Sequence, residues 1–95
     1  MISESKLKTL EEKRGQAVFI IGKYAAIENK EDISKEEAEK WLYAFSQATL
    51  LLEEIITATC LDLHEQHIFQ LHNNAFELFW ASKGQIRRLR YKDRT

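Results

Sequence analysis

The chain has 95 residues, enough for one domain that buries roughly 60–70% of its unfolded surface. With no proline, three glycines, 44% hydrophobic and 31% charged residues, it excludes both a turn-rich β-sheet fold and intrinsic disorder. The formal net charge of −1 hides an asymmetry: residues 1–82 carry eight Lys/Arg against fourteen Asp/Glu, a balance of −6, and residues 83–95 carry six against one, a balance of +5.

Strong helix formers fill the sequence, so the expected fold class is all-α. The first predicted helix covers about residues 5–29. Its start is signalled by Ser5 or by the capping box Thr9-Leu-Glu-Glu12, in which the threonine oxygen accepts from a free backbone N–H and the glutamate reaches back. At 100° per residue, Leu7, Leu10, Ala17, Val18, Ile21, Tyr24 and Ala25 share an arc of about 120°, with Arg14 inside it. A second stripe carries Gly15, Phe19, Gly22 and Ala26. This helix is therefore apolar on two sides, and its glycines, one heptad apart, either admit another backbone or are simply tolerated.

Residues 28–33, ENKEDI, read as a polar linker. Ser34-Lys-Glu-Glu37 then forms a capping box, with acids in the first turn where the helix dipole favours them. The second predicted helix, 35–60, contains the stretch from Trp41 to Leu63 that lacks any lysine or arginine. Trp41, Phe45, Ala48, Leu52 and Ile55 step by three and four along it, as a buried seam requires. Tyr43 and Leu50 fall on the opposite side with Glu53 and Glu54. A short loop makes the first two helices an antiparallel hairpin. Thr57, Thr59 and Cys60 are weak helix formers and Asp62-Leu-His-Glu65 repeats the capping pattern, which places a break at residues 59–62 and a third helix at 63–83. That helix carries Ile68, Leu71, Ala75, Leu78 and Phe79 on one side and Phe69, Phe76 and Trp80 on the other. Gly84 is expected to stop it as a C′ residue, and Gln85 to Tyr91, with a short Ile86/Leu89 pattern, reads as a further helical turn. The domain is then residues 1–84, a helical hairpin plus a third helix forming a three-helix bundle, and residues 85–95 form a basic C-terminal tail.

Three sets of residues carry chemical interest. Cys60, His64 and His67 stand at i, i+4 and i+7, one face of a continuous helix, where thiolate and imidazole would suit zinc. A break at residues 59–62 removes that alignment, and a buried cysteine beside two surface histidines is the plainer reading. Lys83, Arg87, Arg88, Arg90, Lys92 and Arg94 form a cluster able to neutralise phosphates, although the acidic body opposes a polyanion. Tyr43, Leu50, Phe69, Phe76 and Trp80 are apolar positions that three short helices cannot all cover, and such surplus surface marks association.

Paired carboxylates at Glu11/Glu12 and Glu36/Glu37 open helices, and Glu53/Glu54 solvates the exposed strip of the second. No Glu-x-x-His pair, G-x-S-x-G turn or glycine-rich phosphate loop occurs, so the reading is non-enzymatic, without a cofactor. The first fifteen residues hold no apolar signal core, the lone cysteine suits a reducing compartment, and Glu53 and Glu54 oppose a membrane span, so a cytoplasmic protein is expected. The favoured function is a helical interaction or regulatory module, of adaptor or inhibitor type, that homodimerises and engages a protein partner. The alternatives are a nucleic-acid-binding accessory protein using the basic tail and a metal-binding bundle.

Overall fold

A computed structural model describes residues 2–25 and 34–93, including side chains for all of these except residues 24, 25 and 90–93. The chain folds as three α-helices: α1, Glu4–Ala25; α2, Lys35–Thr59; and α3, Gln66–Asp93. Among the described residues there is no strand, and no helix is long and apolar enough to cross a membrane. The predicted all-α three-helix bundle is what the chain adopts. The polar linker at 28–33 and the distal end of the first predicted helix fall outside the described residues.

Local signals set the helix ends. Ser3 caps α1, its Oγ accepting from the Lys6 N–H at 3.1 Å. Thr9 does not cap: it lies inside α1 and its hydroxyl donates to the Ser5 carbonyl. Ser34 caps α2 as predicted, with an extended backbone and its side chain accepting from the Glu37 N–H at 3.2 Å. The α2 helix closes at Cys60, whose N–H donates to the Ile56 carbonyl. Two tight backbone bonds, Asp62 N–H to Thr59 and Glu65 N–H to Asp62, turn the chain, so α3 starts at Gln66 instead of Leu63.

The larger departure from expectation is at Gly84, which does not stop α3. No described glycine adopts the left-handed backbone that a C′ cap uses, and the helix continues to Asp93. Glycine in a helix interior costs roughly 0.5–1 kcal/mol. Burying Leu89 contributes roughly 1.5–3 kcal/mol in return, since its side chain is wholly enclosed against Phe45 and Ala38. Residues 85–93 are therefore the end of α3 and not a tail, while residues 94 and 95 lie outside the described residues.

The core forms two clusters along α2. The first joins Leu10 and Ala17 of α1, Ala48, Leu52 and Ile55 of α2, and Leu71 and Ala75 of α3. The second joins Ala38 and Phe45 of α2 to Leu89 of α3, with Trp41, Leu42, Ile21 and Ile86 partly buried around them. All residues of the predicted α2 seam are thus buried except Trp41, which is partly buried. In α1, Val18 departs from the predicted core arc: it is 46% exposed. The α2 helix is the shared element, because α1 and α3 both pack along it and scarcely reach each other.

Ser82 lies on the core side of α3 between the two clusters, fully buried, and its Oγ has no hydrogen-bond partner. A buried hydroxyl left unsatisfied costs roughly 1–3 kcal/mol, and alanine is also the better helix former. Ser82→Ala is therefore expected to stabilise the fold by about 1–2 kcal/mol. Thermal unfolding followed by circular dichroism checks this; an unchanged or lower melting temperature would show that the hydroxyl is satisfied in solution.

Candidate protein-interaction surface

The helix break at residues 60–65 separates the three residues that zinc would need. The Cys60 thiol is exposed and donates to the Thr57 carbonyl at 3.2 Å. His67 turns towards α1, with Nε2 3.3 Å from a carboxylate oxygen of Glu11. His64 lies in the turn itself. Among the described residues, no group of three or more His, Cys, Asp or Glu side chains gathers as a metal site would require. The predicted i, i+4, i+7 alignment does not survive, because it depended on one unbroken helix.

His72 forms a tie that the sequence did not suggest. The buried Thr59 hydroxyl is 2.8 Å from the Ile55 carbonyl and 2.8 Å from His72 Nδ1. With its single proton given to the carbonyl, Thr59 accepts from Nδ1–H of the ring. This bond clamps the last turn of α2 to the second turn of α3 and holds the His72 ring at the edge of the core, where it stacks on Phe76 at a centroid distance of 6.4 Å.

From His72 an aromatic series runs up α3. The ring centroids of Phe76 and Trp80 are 6.1 Å apart and those of Phe79 and Trp80 5.8 Å apart, both pairs edge to face. Phe79 packs on the first core cluster and anchors the series. Phe69, Phe76 and Trp80 remain 45%, 46% and 58% exposed. Three and four residues bring a helix back to the same side, so these residues form one continuous edge, which Lys83 and Arg87 extend towards the C-terminus. Lys83 lies over the Phe79 ring, 5.4 Å from its centroid. His67, nine residues before Phe76 and so about half a turn away round the helix, faces α1. The aromatic edge is accordingly the side of α3 turned away from α1.

The two α2 residues of the predicted interface belong to another surface. Tyr43 and Leu50 are both exposed, and Leu50 lines an open groove between α1 and α2 with Lys6, Leu10, Lys13 and Thr57. The groove is bordered by Glu54, which forms an ion pair with Lys13. The structure thus leaves all five predicted residues exposed but does not bring them together: Phe69, Phe76 and Trp80 share the α3 edge, Leu50 lines the α1/α2 groove, and Tyr43 is exposed on α2 outside that lining. Val18 and Phe19 on α1, and Leu61 and Leu63 in the turn, are exposed apolar residues absent from the predicted set. Lys23 covers part of Phe19, 4.7 Å from the ring centroid.

Of the predicted basic cluster, Lys83, Arg87 and Arg88 are exposed on α3. Arg88 lies one residue beyond Arg87 and so about 100° round the helix from it, off the aromatic edge. The side chains of Arg90 and Lys92, and the whole of Arg94, lie outside the described residues. Compared with protein-family models, curated proteins and solved structures, the chain finds no match.

Proposed function

We propose that the protein is a non-enzymatic helical interaction module of adaptor or inhibitor type, that it self-associates, and that the aromatic edge of α3 is its docking element. The observation that carries this reading is the row Phe69, Phe76 and Trp80, each about half exposed on one edge of a helix whose opposite side is already packed. Large aromatic residues are enriched where interfaces concentrate their binding energy, and a contiguous apolar patch is unfavourable to leave in water. Phe79, packed on the core, and His72, bonded to Thr59, are held in place beside the row, which limits the freedom these two rings lose on association.

Light scattering on the purified chain is expected to give twice the 11.2 kDa monomer mass. Phe76→Glu is expected to weaken association at least a hundredfold by placing a charge in the centre of the apolar contact, while the circular dichroism spectrum stays helical, since Phe76 supports no core cluster. A monomeric wild type at 100 μM would remove the reading. Lys83 and Arg87 beside exposed aromatic rings also favour a second reading, nucleic-acid binding, in which phosphates are neutralised and bases stack. Duplex or single-stranded probes that bind at low salt, and are lost on Arg87→Ala with Arg88→Ala, would carry that reading instead.

A further inference from the structure

The α3 edge has an order that the proposed function does not use. Glu65, in the turn that opens the helix, and Arg87 lie eleven residues to either side of Phe76. His72 and Trp80 lie four to either side. The edge therefore reads acid, ring, Phe76, ring, base, and it is complementary to itself when reversed. Placed antiparallel to a second copy with a two-fold axis at Phe76, it sets each Phe76 against its counterpart and each Trp80 against the partner's His72. Each Arg87 then meets the Glu65 of the partner subunit, about 16 Å from the axis at 1.5 Å per residue. A two-fold interface must be self-complementary in this way, and charges flanking an apolar helical seam set its orientation.

The charge distribution favours the same occupant. From Trp41 to Ser82 the chain holds five acids and no lysine or arginine, whereas the end of α3 is basic. A parallel pairing would bring base against base, and the antiparallel pairing brings each basic end over an acidic body. The molecule's long side measures about 47 by 18 Å. An antiparallel overlap of residues 65–87 covers about 33 Å of that length at 1.5 Å per residue.

We infer that the α3 edge is a homodimer interface in which two copies pair antiparallel about Phe76, with Glu65 of each facing Arg87 of the other. This rests on the interaction-module reading above and names its partner as a second copy. The test uses the full chain in three forms: wild type, Glu65→Arg and Arg87→Glu, each followed by sedimentation velocity at low salt. Either substitution alone sets like charges against each other twice across the two-fold axis, and each is expected to raise the dimer dissociation constant about tenfold. Mixing the two single variants restores opposite charges at both ends, so the mixture is expected to form a heterodimer about as tight as the wild type. The double variant should behave likewise. A wild-type dimer that neither single substitution weakens, or weakened variants that mixing does not rescue, would overturn the α3 pairing while leaving self-association standing on another surface, such as the groove at Leu50. A monomeric wild type would remove both readings. Circular dichroism on each variant identifies loss of folding, and mixing rescue cannot arise from it.

Discussion

Phe45→Ala is expected to lower the unfolding free energy by about 3–5 kcal/mol, at least about a fifth of the roughly 5–15 kcal/mol usual for a folded domain. Phe45 is wholly enclosed and is the largest side chain in the second core cluster, where it meets Ala38 and Leu89. Trp41, Leu42, Ile21 and Ile86 are all partly exposed there and cannot close over the space left by a missing ring. The loss should also be local in its first effect. Burial of Leu89 is what carries α3 past Gly84, so without Phe45 the turns from residue 84 onward lose their reason to stay helical. Amide hydrogen exchange is expected to rise most in residues 84–93, and urea unfolding gives the total. Equal exchange throughout α3 would show that the two clusters do not act separately.

Leu52→Ala, seven residues along the same seam, is expected to cost about 2–5 kcal/mol but to act elsewhere. Leu52 lies in the cluster whose fully buried residues come from all three helices, together with Leu10 and Ala17 of α1 and Leu71 and Ala75 of α3. Several of its neighbours are alanines, which have no side chain to swing into the gap. The substitution should loosen α1 from α2 as well as α2 from α3, so amides of α1 are expected to exchange faster than in Phe45→Ala. The two sites share no cluster, and their effects on stability should add within about 0.5 kcal/mol. A strongly non-additive double variant would mean that the core is one unit.

The parts of this fold that could be read in the sequence are those governed by periodicity. The α2 seam stands in the sequence as Phe45, Ala48, Leu52 and Ile55, and the exposure of Phe69, Phe76 and Trp80 followed from their being opposite Ile68, Leu71 and Ala75. Two helices flanking a third bury one stripe on each, so any second stripe is left in water. The further turn at Ile86 and Leu89 was legible from their spacing, but its continuity with α3 was not, because Ser82 interrupts the apolar pattern and Gly84 follows it with a stop signal. Only the packing of Leu89 on Phe45 overrides both. Nor could spacing show that Leu50 and Phe76 belong to different surfaces. That depends on which side of α2 receives α1, and it is marked by contacts far apart in sequence, Glu11 with His67 and Lys13 with Glu54. The tie between Thr59 and His72 likewise joins two helices across a turn that spacing alone leaves open.

The packing of α1 chiefly on α2 has a consequence for how the chain is degraded. Gly15 and Gly22 sit in the helix with nothing within 4 Å of where a Cβ would stand, so each weakens α1 by up to about 1 kcal/mol without serving a close contact. A helix held on one side and weakened twice opens before the rest of the molecule does. It also carries Lys6, Lys8, Lys13, Arg14 and Lys23, whereas no lysine or arginine lies between Lys40 and Lys83. A protease that cuts after basic residues therefore meets its susceptible bonds in the segment that undocks most readily. The α2–α3 pair, bare of such bonds from Trp41 to Ser82, is the fragment that outlasts it.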